Sequence, residues 1–169
     1  ARAVAGVTNS DGATASAGSG VFALATSHGF SGAYGSTSHS LGASIVAGEG
    51  AAKQRDYAAR SAHPRAALPL PAEIGELAAR RAVARLNPGR MASGPIPVVF
   101  DPRVGGSLIG NLIGAISGSA IARRSSFLLG KLEDQIFAPG TVLVEEPHRP
   151  RGLRSRPFDG EGLPTRARN

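Results

Sequence analysis

The sequence predicts an α+β fold: a largely antiparallel β region with a packed helix, followed by the start of a second β-rich domain containing a glycine-rich helix. Three observations predict it. Small and apolar residues alternate through residues 1–60, at the period of strands. A stretch opened by Pro71 places its alanines at helical spacing. A third stretch, after Asp101-Pro102, repeats glycine every four residues opposite an aliphatic face.

The elements follow in order. Asn9-Ser10-Asp11-Gly12 is a turn signal, since Asp-Gly favours a hairpin turn that needs positive φ. Val21 to Thr26 reads as a strand, and Ser27-His28-Gly29-Phe30-Ser31-Gly32 as a turn or bulge. A further strand runs near Ser40 to Ala47, where Leu41, Ala43 and Ile45 alternate with Gly42, Ser44 and Val46. Lys53 to Arg60 is the next strand. A proline-rich connector, His63 to Pro71, leads into a helix over residues 72–86. Ala78, Ala79, Ala82, Val83 and Leu86 share its buried face, and Glu76 and Arg80 pair on the opposite side. Asn87-Pro88-Gly89 stops it.

Met91 to Gly94 is the best domain boundary, separating residues 1–91 from 94–169. Pro95 to Phe100 reads as a buried strand, and Asp101-Pro102 as a cap followed by an N1 proline. Ser125 to Leu129 is mixed, and Thr141 to Val144 is a short strand. From Glu145 onward the chain is loop-like, with the compact phrase Ser155-Arg-Pro-Phe-Asp-Gly-Glu-Gly162.

A chain of 169 residues suffices for one domain or two small ones with a real core. It opens at Ala1 directly in strand-like sequence and closes in a polar Arg-rich stretch, the pattern expected of an internal piece of a longer protein. The absence of Cys excludes disulfides and zinc–thiolate sites within these residues and fits a reducing compartment. A net charge of +7 invites a nucleic-acid reading. Against it, only Lys53 and Lys131 among the 19 basic residues are lysine, a compositional bias toward Arg, and with no Trp and two Tyr the platforms for stacking bases are scarce.

The helix after Pro102 is the most informative stretch. Ser107 to Gly118 contains no titratable side chain. Val104, Leu108, Ile109, Leu112, Ile113, Ala115 and Ile116 span one half and are expected in a core. Gly106, Gly110, Gly114 and Gly118 line the other half, a smooth groove that admits another backbone. Each glycine costs the helix about 0.5–1 kcal/mol relative to Ala, so a close partner is expected there. The uncharged span Val104–Ala122 also suits membrane packing, but Asn111, three serines and five glycines in so short a span argue against crossing a bilayer.

Several phrases, in this order and spacing, resemble the TldD/PmbA family. They are Thr8-Asn9-Ser10-Asp11-Gly12, Ser27 to Tyr34, Gln54-Arg55-Asp56-Tyr57, Val98 to Pro102, Ala115-Ile116-Ser117-Gly118, Ser125 to Leu128 and Ser155 to Gly162. Proteins of this family are also named as candidate modulators of DNA gyrase. The resemblance covers nearly the whole chain and is strongest to the TldE (PmbA) branch. It places residues 1–91 in a central α+β domain and 94–169 in the first part of a C-terminal β-rich domain. It implies a cytoplasmic metalloprotease of two related subunits that matures or degrades peptides. The TldD branch carries His-Glu-x-x-x-His on this helix, with a further ligand later in the chain, two His holding zinc and the Glu serving as general base. Those positions fall here on Gly110, Asn111 and Ala115, none of which supplies a ligand or a base. The resemblance therefore implies no catalytic, cofactor or metal residue in this chain, with zinc held by a TldD-like partner subunit and a peptide as substrate. Alone, the chain could form a homodimer. Channel or interface candidates are Gly106, Gly110, Asn111, Gly114, Gly118, Asp159 and Glu161.

His28, His39, His63 and His148 never sit at metal-ligand spacing, although His28 and His39 could meet across strands. No Gly-x-Ser-x-Gly elbow sits between a strand and a helix. Asp159 and Glu161 could form an acid/base pair; carboxylates that accept backbone N–H bonds or pair with Arg154 and Arg156 are the simpler reading. The alternatives to a silent protease subunit are an interaction protein acting on gyrase or nucleic acid, and an independently active hydrolase.

Overall fold

The computed structural model describes residues 1–168 and divides the chain into two compact units. One comprises residues 1–90 with the tail from Leu143, the other Met91–Val142. Strands β1 (Val7–Ala25), β2 (Ser31–Ala47) and β3 (Gln54–Ala62) form an antiparallel sheet in the order β1-β2-β3. With helices α1 (Pro71–Val83), α2 (Pro102–Ile116) and α3 (Gly118–Ala122), the fold is α+β, as the alternating sequence predicts.

Asn9 to Gly12 is not a hairpin turn. These residues lie inside β1, where the register against β2 shifts between Ser10, paired with Ile45, and Gly12, paired with Ser44. Gly12 has φ +112, so the Asp-Gly chemistry that favours a turn here makes a bulge instead. Asp11 accepts a 2.8 Å hydrogen bond from Arg55 on β3, which stitches the bulge across the sheet. The chain reverses at Thr26–Phe30, where Thr26 N–H donates to Phe30 O at 2.9 Å and Gly29 takes φ +89.

The core lies on one face of the sheet, where β2 pairs with β3. Ile45, Ala47 and Ala58 meet Ile74, Ala78, Ala79 and Ala82 of α1, with Val83 and Leu86 packed at the margin. Alternation puts Leu41, Ala43, Ile45 and Ala47 of β2 on that face. Alanine on both layers lets helix and strand backbones approach closely, and four of the alanines are fully excluded from solvent on α1 and β3. Pro71 opens the helix and the Glu76–Arg80 ion pair lies on its outer side. The α-helix ends at Val83 rather than Leu86, because Arg85 and Leu86 donate to Ala82 and Val83 in tighter i→i+3 turns. Asn87, at φ 52, then closes it. Buried Asp56 accepts from Tyr57 N–H at 2.7 Å and lies 3.7 Å from the Arg85 guanidinium, which ties β3 to the end of α1.

Beyond His39 and Ala62, the last pair of the β2–β3 ladder, the β1–β2 hairpin continues as a two-stranded arm. Its Ser-, Gly- and Ala-rich sides are almost wholly exposed.

Pro95 to Phe100, in the second unit, joins no ladder and is exposed, and Thr141 to Val144, where the chain passes back to the first unit, forms no strand. Pro95 and Pro97 have no N–H to give a ladder, and no strand of this unit lies beside them. Among the described residues, the pairing near Thr141–Val144 is an isolated bridge between Glu145 and Arg168. Asp101 caps α2 as expected, its carboxylate accepting from Arg103 N–H at 2.8 Å. The helical stretch is broken at Ser117, which ends α2 and caps α3 by accepting from Ala120 N–H at 3.3 Å. Among the described residues, no helix is long and apolar enough to cross a membrane.

Candidate functional site

Two regions carry the sequence candidates: the glycine face of α2, and the Phe158–Gly162 phrase with the hairpin arm it packs on.

On α2 the expected core is not there. Val104, Leu108, Ile109, Ile113 and Ile116 are exposed and Leu112 is half-buried; Ala115 alone is buried. The physical reason is architectural. An apolar helix face is buried by a second layer, and within Met91–Val142 the only other helix is the five-residue α3. The opposite face is equally open. A Cβ added at Gly106, Gly110, Gly114 or Gly118 would meet no atom within 4 Å. The partner expected against these glycines is thus absent from the described residues. Gly110 and Asn111 are exposed on this helix, one residue apart, and Ala115 is buried.

These side chains do not fit zinc. Glycine and alanine have no donor atom, and an amide at Asn111 cannot act as a base toward water near neutral pH. Among the described residues no three His, Cys, Asp or Glu side chains gather as a metal-holding group. His28 and His39 do not meet: His28 lies in the hairpin turn, while His39 is flanked across the ladder by Ala17 and Ala62. His148 reaches Thr165 Oγ1 at 2.9 Å.

The Ser155–Gly162 phrase folds as a small turn closed by a bridge between Phe158 and Pro164. Asp159 builds it. Its Oδ1 accepts from Glu161 N–H and Leu163 N–H, both at 2.9 Å, and its own N–H donates to Leu163 O. A carboxylate whose Oδ1 accepts two backbone N–H groups is a turn organiser, and Glu161 is exposed beside it. Neither forms an ion pair with Arg154 or Arg156 among the described residues.

The turn presents Phe158 to the hairpin arm. Phe158 is 8% exposed and sits among Phe30 (4.9 Å between centroids, 65°), Tyr34 (5.5 Å, 72°) and Phe22 (6.1 Å). Edge-to-face geometry at these spacings is favourable for aromatic rings. Phe22 and Tyr34 are themselves cross-strand partners. Two glycines make room. A Cβ on Gly32 would lie 2.8 Å from Phe30 and 3.0 Å from Phe158, and one on Gly162, at φ +88, would lie 2.6 Å from Phe30. Sequence reading missed this clamp, though its signal was present: both glycines and three of the four rings stand in the phrases singled out as compact motifs.

Beside the clamp a groove of about 440 Å³ runs between the arm and residues 153–156, lined by Gly18, Phe22, Tyr34, His63, Leu153 and Arg156 among others. Its wall combines aromatic rings, hydroxyls and one guanidinium, with no carboxylate.

Residues 1–86 match the PmbA/TldA metallopeptidase central domain, and residues 93–169 match the PmbA/TldA metallopeptidase C-terminal domain. The chain is 37% identical over 163 residues to metalloprotease PmbA of Escherichia coli, covering 96% of this chain and 36% of that protein. It is 36% identical over 162 residues to a PmbA homolog of Haemophilus influenzae, again covering 96% of the chain and 36% of the relative. Two solved structures, each described as a candidate modulator of DNA gyrase, share the fold. That from Bacteroides thetaiotaomicron gives a TM-score of 0.85 at 33% identity, over 92% of this chain and 36% of its own. That from Thermotoga maritima gives 0.89 at 25% identity, over 98% and 38%. The chain therefore spans about a third of the length of the relatives it matches.

Proposed function

This chain belongs to the PmbA/TldA metallopeptidase family, and we propose that it acts as a TldE-like, catalytically silent part of a two-subunit peptidase. The observation that carries this reading is the chemistry of α2: Gly110, Asn111 and Ala115 stand where the resemblance puts ligand, base and ligand. No step of a zinc mechanism can be routed through them. Zinc and the general base belong, in this proposal, to a TldD-like partner in the cytoplasm.

What this chain contributes is shape. β1 is an edge of the sheet, so its outer N–H and C=O groups suit addition of an extended peptide, a mode whose affinity comes from main-chain hydrogen bonds. The bare glycine face of α2 suits close approach of a partner backbone.

The test is peptide hydrolysis by the native protein, alone and mixed with a partner bearing His-Glu-x-x-x-His. The proposal expects turnover only in the mixture, and only while the partner's Glu is intact. Turnover by the protein alone would support the independent hydrolase instead. Installing His, Glu and His at positions 110, 111 and 115 is expected to leave the isolated protein inactive, because the resemblance requires a further ligand that these residues do not supply.

A further inference from the structure

His63 lies just past β3, in the connector to α1, and its ring spans two segments far apart in sequence. Nδ1 faces the carbonyl oxygen of Thr37 on β2, and Nε2 faces the carbonyl oxygen of Gly152 at 3.1 Å. Both partners are acceptors only. A neutral imidazole carries one N–H, so it can satisfy one of them and must turn a lone pair on the other; only the doubly protonated ring donates to both. We infer that protonated His63 is a pH-responsive clasp fastening the arginine-rich loop of residues 149–156 to the β1–β2 hairpin arm.

The backbone of His63 is pinned to the sheet. Its carbonyl oxygen accepts from Thr37 Oγ1 at 2.8 Å and from His39 Nδ1 at 2.7 Å. The loop opposite is held mainly by its own bonds, Gly152 N–H to Arg149 O, Ser155 Oγ to Arg149 O and Arg156 N–H to Pro147 O. Loss of the proton therefore acts on the weaker side. With Nδ1–H retained by Thr37, the Nε2 lone pair opposes the Gly152 oxygen and residues 149–156 lift, while Phe158 stays in its aromatic clamp. The groove between arm and loop widens as they part.

The charged and titratable groups about the ring are His39 from β2 and, in the shared groove, Tyr34 from β2 and Arg156 from the loop; no carboxylate lines it. The sign follows from the geometry: the clasp is closed when both ring nitrogens carry a proton and opens when one is lost.

Hydrogen exchange of the native protein, corrected for intrinsic rates, tests this from about pH 5.5 to about pH 8. Protection of amides in residues 149–156 is expected to fall about tenfold across the range, with β1–β2 amides unchanged. His63→Gln should make loop protection independent of pH, and His39→Gln, which keeps an N–H donor for the His63 carbonyl, should leave the dependence in place. Nitrogen-15 shifts of the His63 ring should show both nitrogens protonated at the acid end. Loop protection that is flat with pH in the native protein, a dependence that survives His63→Gln or is abolished by His39→Gln, or a ring that is singly protonated throughout would each overturn the clasp.

Discussion

α1 and α2 are both helices rich in small residues, yet they use them in opposite ways. On α1 the small side chains are filled space: Ala78, Ala79 and Ala82 are wholly buried against Ile45, Ala47 and Ala58. On α2 they are open space, since nothing in the described residues comes within 4 Å of a Cβ placed at Gly106, Gly110, Gly114 or Gly118. A small-residue stripe thus announces close approach without saying whether the approaching element is in the same chain. What distinguishes the two is the presence of a second layer: α1 has a sheet beside it, α2 has none within its own unit.

Substitutions that add or remove volume break or sharpen this contrast. The largest effect is expected from Ile74→Ala, which leaves a cavity under α1 and should cost about 2–5 kcal/mol in denaturant unfolding of the sheet unit. Next is Gly162→Ala, where positive φ and the 2.6 Å approach to Phe30 act together. A loss of about 1–3 kcal/mol is expected, with the Phe158 clamp loosened and visible in aromatic NMR shifts. Ala79→Leu should overpack the helix–sheet contact by about 1–3 kcal/mol. Gly110→Ala should go the other way, raising the helicity and stability of α2 by about 0.5–1 kcal/mol. If Gly110→Ala instead destabilises the native protein, a backbone outside the described residues already occupies that face. The smallest effect is Arg55→Ala, which removes an exposed pair with Asp11 and should shift stability by about 0.5 kcal/mol or less.

The sequence made the first unit legible because its signals were local. Alternation in β2, the proline at the start of α1 and the glycine turn at Thr26–Phe30 each needed only neighbours a few residues away. The Asp11-Gly12 error has the same root: a local preference for positive φ is satisfied equally by a turn or a bulge, and the long pairing with β2 decides between them. In the second unit, apolar runs at Pro95–Phe100 and on α2 predicted burial that requires a covering layer, which periodicity cannot supply. The aromatic clamp was hidden because Phe158 joins Phe22, Phe30 and Tyr34 across more than a hundred residues of chain. Asp159, by contrast, works within its own turn, and its backbone bonds match one of the two roles its sequence context left open.

The central claim is that α2 keeps the frame of a metal-binding helix without its donors. Zinc analysis of the native protein, purified without chelator and separated from any partner, addresses it most directly. The account predicts far less than one zinc per chain, unchanged by Asn111→Ala. One tightly held zinc per chain, released by substitution on α2, would contradict it.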